Sequence, residues 1–393
     1  MAIYVVGLAW LQSRNTTLID PGDLIVPRLI DVVVFVWLFW VGSSIGSFLN
    51  VVAWRMPRGE GVNGRSYCPR CRTQLKARDN FPVFGWLALR GRCRCCRLPI
   101  SPRYPIVELS VGISLTLIGI SELYRLSLPQ QTIHWHGGPF WAPVVDYPML
   151  LTLLYHSVAV AFGWAFGLIR MDGHRLPARL TGIAVAALMI PMLAFPQLMV
   201  VSWRFDDPGV GLPQNPSLDA VLRIATALAA TVVFARYLAR GICPGADPKL
   251  DPLSQRTAKL IDLIAIIMIP AVVTGWQSVA AVIALAAWIA LVIRPALPAS
   301  ADALGRFAIA MPIALTLQIT FWRRLYESRW WPPADDSPWV VLAAAGVVFF
   351  VPLWLNDSRP QSPEARAQSP GARPQSPGAI DQPADDAADD VEA

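Results

Sequence analysis

Two Cys-x-x-Cys pairs carry the clearest chemistry in this chain: Cys68-Pro-Arg-Cys71, and Cys93 with Cys96 in Cys93-Arg-Cys95-Cys96. Twenty-one residues separate Cys71 from Cys93. Two such knuckles present four thiolates, the ligand number of a tetrahedral Zn²⁺. The gap is slightly longer than the common ribbon spacing, but lengthening a loop costs little. The many Arg and Lys around the thiols favour thiolate formation. Cys95 is the spare thiol and could replace a neighbour as ligand, and Cys243 stands alone. In a reducing compartment these cysteines bind metal rather than pair as disulfides. Four thiolates leave no open coordination position, so the expected zinc is structural.

The elements that must position this loop are membrane helices. The chain is 54% hydrophobic and only 15% charged over 393 residues, with a mean hydropathy of +0.45. Soluble domains run near ~25% charged, so a single soluble domain and a mainly disordered chain are both excluded. A helix spans a bilayer with ~20 apolar residues. Candidate spans lie near Asp31–Trp54, Tyr104–Glu122, Met149–Ile169, Leu180–Trp203, Leu218–Ala235, Thr257–Gly275, Gln277–Ile293, Phe307–Phe321 and Trp339–Leu355. The expected fold class is therefore all-α: a polytopic transmembrane helix bundle of about eight or nine spans with a cytoplasmic, four-cysteine, zinc-ribbon-like loop.

Cytoplasmic loops are marked by Arg and Lys. The loop 55–103 holds twelve of them against Glu60 and Asp79. Arg170, Arg175 and Arg179 return the chain to that side, as does the basic stretch 236–259. The alternation places the N-terminus outside. It weakens later, where Arg323, Arg324 and Arg329 fall on the outer side. The implied organisation is an N-terminal segment 1–30, a region 31–122 containing the cysteine loop, and a membrane domain 149–355. A tail 356–393 follows, where Gln-Ser-Pro recurs at Gln361, Gln368 and Gln375. Such low-complexity sequence cannot bury a core and is expected to be disordered.

Five motifs stand in order around the cysteines. They are Gly46-Ser47-Phe48-Leu49-Asn50-Val51-Val52, the first CxxC, Asp79-Asn80-Phe81-Pro82-Val83-Phe84-Gly85-Trp86, the second CxxC, and Ser101-Pro102-Arg103-Tyr104-Pro105-Ile106-Val107-Glu108-Leu109. Their order and spacing over residues 40–112 resemble the N-terminal part of the prepilin peptidases, the leader peptidases of type IV pili and type II secretion. Bottom-up, Gly46 and Ser47 suit close helix packing. Asn50 and Glu108 are polar groups at spans, where such groups face a partner or a cavity. Asp79 is a ready partner for a neighbouring arginine.

The resemblance implies an intramembrane aspartyl peptidase. In such a site one carboxyl stays protonated as acid and the other activates water as base. Pro244-Gly245-Ala246-Asp247-Pro248-Lys249-Leu250 aligns Asp247, Lys249 and Leu250 with the family's GxGDxKL, with Pro244 and Ala246 in place of its glycines. The first acid, seven residues before Pro177, falls on Arg170. Asp172, five before that proline, is then the first candidate, and it reaches the site if the helix unwinds near Gly173. Arg170 is a candidate ion-pair partner for Asp172, and His174 is read as a loop histidine.

The function implied is cleavage of a short basic leader from type IV prepilin or pseudopilin precursors at the cytoplasmic face of the inner membrane. Many family members also methylate the new N-terminus with S-adenosylmethionine. The cofactor-binding residues are unknown, and no glycine-rich nucleotide fingerprint is visible. Membrane lipid is an expected partner and nucleic acid is not. The alternative is a catalytically degenerate membrane scaffold or assembly factor, favoured by Arg170, Ala178, Pro244 and Ala246.

Overall fold

The computed structural model describes residues 1–14, 20–68, 70–129, 143, 145–201, 203, 215–242, 255–298, 300–332 and 338–355. The Asp247 segment, Cys243 and the Gln-Ser-Pro tail lie outside these residues. The described chain is helical, with two isolated β-bridges in the cysteine loop, Tyr67 with Gln74 and Arg92 with Pro99.

A short helix α1 (Leu8–Ser13) precedes the long α2 (Pro21–Arg55). The cysteine loop follows, with a single turn α3 (Phe84–Ala88), and the chain re-enters the bundle as α4 (Arg103–Leu123). Next come α5 (Tyr147–Met171), α6 (Ala178–Ala194), α7 (Pro216–Ile242), α8 (Gln255–Thr274), α9 (Trp276–Val292) and α10 (Ala303–Thr320). Short helices α11 (Trp322–Tyr326), α12 (Pro338–Val348) and α13 (Val351–Leu355) close the described chain. Six of these helices are long and apolar enough to cross a membrane, and three apolar stretches are shorter. Together they fall where the nine expected spans were placed.

The region around the cysteine loop is a pair of helices in close contact. α2 packs along α4, and small residues make the approach possible. A Cβ added to Gly46 would lie 2.9 Å from the Glu108 Cα, and one at Gly112 would lie 2.5 Å from the Ser43 hydroxyl. The second region is built on α5 against α10, with α7, α8 and α9 packed around them. Some of its buried polar groups are tied to backbone. Arg223 of α7 is 1% exposed and donates to the carbonyls of Val201, Val272 and Val273. The Val272 and Val273 carbonyls are left open by the end of α8, and that of Val201 lies in the connection before α7.

Arg323, one of the basic residues that breaks the charge alternation, is also buried, and it donates to the Leu128 carbonyl. It therefore acts as a helix-end staple, a role that the loop-charge rule does not count. Near the same end of the bundle the buried side chains of Glu122 and His156 meet at 2.5 Å.

Candidate functional site

The two knuckles have the same construction. The Cys68 N–H donates to Thr73 O and the Arg72 N–H to Cys68 O. In the second, the Cys93 N–H donates to Leu98 O and the Arg97 N–H to Cys93 O. Arg72 and Arg97 take equivalent left-handed positions, at φ 57° and 60°. Each knuckle thus ends in a tight reversal that turns both of its sulfurs inward.

The Sγ atoms of Cys68, Cys71, Cys93 and Cys96 all lie within 4.8 Å of one another. Cys68 and Cys96 are 4.0 Å apart, and Cys71 and Cys93 are 3.9 Å apart. A tetrahedron with metal–sulfur bonds of ~2.3 Å has edges of about 3.8 Å, so the four sulfurs fit one metal ion. Hydrogen bonds from the Thr73 hydroxyl and N–H lower the Cys71 pKa to about 6, and the N–H groups of Cys96 and Cys95 lower that of Cys93. Cys95 lies outside the set, exposed, and accepts from the Thr73 hydroxyl.

Three contacts hold the loop, two of them to the helix pair and one within the loop itself. Arg55, the last residue of α2, donates to the carbonyls of Gly61, Asn63 and Arg65. Arg94 grips both oxygens of Asp79 at 2.6–3.2 Å and holds that carboxyl below its usual range. Glu108, 8% exposed on α4, accepts the Val83 N–H at 2.7 Å. Val83 sits at φ 62°, a conformation that costs a β-branched residue ~1–3 kcal/mol. Glu108 is thus a tie that holds the Phe81–Phe84 turn against the membrane helices. Asn50 makes a weaker tie, to the Tyr104 carbonyl at 3.4 Å.

The residues expected around the first aspartate divide in a way that spacing did not indicate. Helix α5 ends at Met171, Asp172 is its C-cap, and Gly173 turns left-handed at φ 75°. The unwinding expected at Gly173 is therefore present. The partner of Asp172 is Arg103 at the start of α4, with contacts of 2.5 and 2.8 Å to its two oxygens. The expected pairing of Arg170 with Asp172 is replaced. Arg170, 2% exposed, turns instead to Asp262 of α8 at 3.3 Å, to Asp302 at 3.4 Å and to the His174 carbonyl. Lys259 joins the cluster through Asp302, and Asp262 accepts the Leu176 N–H. The sequence reading missed Asp262 and Asp302. A lone carboxylate inside the apolar run Leu260–Ile267 was the available signal for Asp262. For Asp302 it was an Asp ahead of a helix start, and its side chain does cap α10 through the Gly305 N–H.

Residues 40–121 match the Bacterial Peptidase A24 N-terminal domain. Over part of its length the chain is similar to the prepilin leader peptidases. It is 53% identical over 184 residues to a prepilin leader peptidase/N-methyltransferase of Myxococcus xanthus (strain DK1622), covering 43% of this chain and 49% of that protein. It is 47% identical over 95 residues to a protein of the same name from Klebsiella pneumoniae, covering 22% and 42%. With a type 4 prepilin-like proteins leader peptide-processing enzyme of Escherichia coli O78:H11 it shares 41% identity over 98 residues, covering 20% and 36%. The chain spans less than half the length of each of these three relatives. No solved structure matches.

Proposed function

We propose that the protein is a membrane aspartyl endopeptidase that removes the leader from type IV pilin-like precursors. Cleavage takes place at the cytoplasmic face of the inner membrane. Asp172 and Asp247 are the two carboxyls of the reaction. One takes a proton from the attacking water while the other gives one to the scissile carbonyl oxygen; the proton taken from water then passes to the departing nitrogen as the C–N bond breaks, and the gem-diol hydroxyl returns its proton to the second carboxylate. The observation that carries this reading is the Arg103–Asp172 clasp at the end of α5. It holds a carboxylate outside helical geometry at the same end of the bundle as the cysteine loop. α8, which begins five residues after Leu250 of the Asp247 motif, packs against α5.

Within this reading the four thiolates hold one structural zinc, which clamps the loop and takes no part in the chemistry. The zinc loop and α2/α4 would serve N-methylation of the new N-terminus, with S-adenosylmethionine as the donor. The relatives' printed name supports that activity.

A second reading rests on the same clasp. Arg103 occupies both oxygens of Asp172, and Arg170 stands where the first acid is expected. This favours a scaffold that binds pilin-like segments without cutting them. One assay separates the two. The purified protein is incubated with a prepilin and the product masses are read. The peptidase reading predicts loss of the leader, and none with Asp172→Asn or Asp247→Asn at unchanged zinc content. An intact prepilin with the wild-type protein would establish the scaffold instead.

A further inference from the structure

A second feature of the cysteine loop is independent of the peptidase reading. Arg65, Tyr67, Arg72 and Gln74 line an open cavity of about 350 Å³ beside the first knuckle. Three of the loop's other arginines are committed: Arg94 to Asp79, Arg103 to Asp172 and Arg55 to backbone carbonyls. Among the described residues neither Arg65 nor Arg72 has a carboxylate partner. The Arg72 guanidinium lies 5.4 Å from the Tyr67 ring centroid, and that of Arg55 lies 5.6 Å from it. The knuckle's hydrogen bonds fix the Arg72 backbone in its left-handed turn. Two guanidiniums, a phenol and an amide therefore converge on one cavity, and all of them are hydrogen-bond donors.

The cavity lies close to the membrane surface. Arg55 ends the long apolar helix α2 and donates to the Arg65 carbonyl. Exposed Trp54 at the same helix end carries Arg58 over its ring at 3.7 Å. Such aromatic residues mark the headgroup level, which extends about 5–8 Å beyond the hydrocarbon on each side. Guanidinium forks match phosphate oxygens.

We infer that the Arg65–Tyr67–Arg72–Gln74 cavity binds the phosphodiester headgroup of an anionic phospholipid. The first knuckle thereby docks on the membrane surface, and the zinc-clamped turn presents Arg72 to the lipid.

The test uses the full-length protein in detergent. Phosphatidylglycerol or phosphatidylcholine with the same acyl chains is titrated in, and bound lipid is read by native mass spectrometry. Phosphatidylglycerol should bind preferentially. Each arginine near the membrane surface contributes about fivefold, so Arg65→Gln/Arg72→Gln should lose roughly tenfold to thirtyfold of that preference. Arg97→Gln, at the equivalent turn of the second knuckle and outside the cavity lining, should reduce it less than Arg72→Gln does. One zinc per chain in each variant shows that the loop is folded. Equal binding of the two lipids by the wild-type protein would overturn the inference, as would an undiminished preference in the double variant. Complete displacement by millimolar inorganic phosphate would reassign the cavity to a soluble anion and overturn the lipid assignment.

Discussion

The two halves of the bundle use their polar residues over different distances along the chain. In the α2–loop–α4 half the ties that shape the cysteine loop are local, although the helix pair itself is also joined at longer range by Asn50 to Tyr104 and Tyr124 to Asp31. The knuckles close within five residues, Arg94 reaches Asp79 across fifteen and Glu108 reaches Val83 across twenty-five. In the α5–α13 half they are long-range. Arg170 reaches Asp302 across 132 residues, and Arg323 reaches Leu128 across 195. Local ties demand particular residue types at particular spacings and so leave motifs. Long-range ties need only a charge at a buried position, which any of several helices can supply. The first half therefore keeps recognisable motifs, and the second is recognisable mainly by the number of its helices.

The largest effect should come from removing a knuckle ligand. Cys93→Ser should abolish metal binding and unfold the loop, because site formation is worth ~10–16 kcal/mol in small zinc domains. Cys95→Ser should keep one zinc per chain by elemental analysis. Equal metal loss in both variants would break the contrast between the spare thiol and the four ligands.

The long-range half should respond next most strongly. Removing one partner of a buried ion pair typically costs ~3–5 kcal/mol. Asp262→Ala leaves the buried Arg170 guanidinium with only Asp302 as a carboxylate partner. Thermal unfolding in detergent should show a marked loss of stability, and Arg170→Met/Asp262→Leu should recover most of it. Failure of the double change to recover stability would mean that Arg170 serves something other than packing.

These two sites also show where sequence reasoning reached. The choice of Cys96 over Cys95 followed from spacing alone, and the sulfurs of Cys68, Cys71, Cys93 and Cys96 cluster accordingly. The helix end at Asp172 was one of two outcomes the sequence allowed, and Gly173 takes the left-handed turn that produces it. The partner of Asp172 did not follow. Arg103 and Arg170 are both arginines near one membrane face, and only the packing of α4 and α8 on α5 decides between them. Glu108 could be read as a site residue, though a structural role at the interface was favoured, and its hydrogen bond to Val83 shows what it holds.

Smaller effects separate the halves further. Gly112→Ala places a Cβ 2.5 Å from the Ser43 hydroxyl and 2.9 Å from the Phe39 ring. It should destabilise the α2/α4 pair by ~1–3 kcal/mol, and Ser43→Ala should relieve part of that. The smallest effect is acidic. The depressed Asp79 carboxyl contributes stability that is present above its unfolded pKa near ~3.9 and is lost as pH falls through the lower folded value. Asp79→Asn should lower loop stability slightly at pH 7 and still do so at about pH 5, and become neutral only once the pH has fallen below the depressed folded value, as read by loop proteolysis.

The central claim is that the two halves act as one site through Arg103 and Asp172. The most direct measurement is the kinetics of leader cleavage by Arg103→Gln, with zinc content as the folding control. Loss of the clasp misplaces the carboxylate, and a misplacement of about 1 Å costs roughly 10²-fold. The account predicts a fall in kcat of about that size with little change in KM and one zinc per chain retained. An unchanged kcat would contradict it, since cleavage would then proceed without the contact that joins the halves.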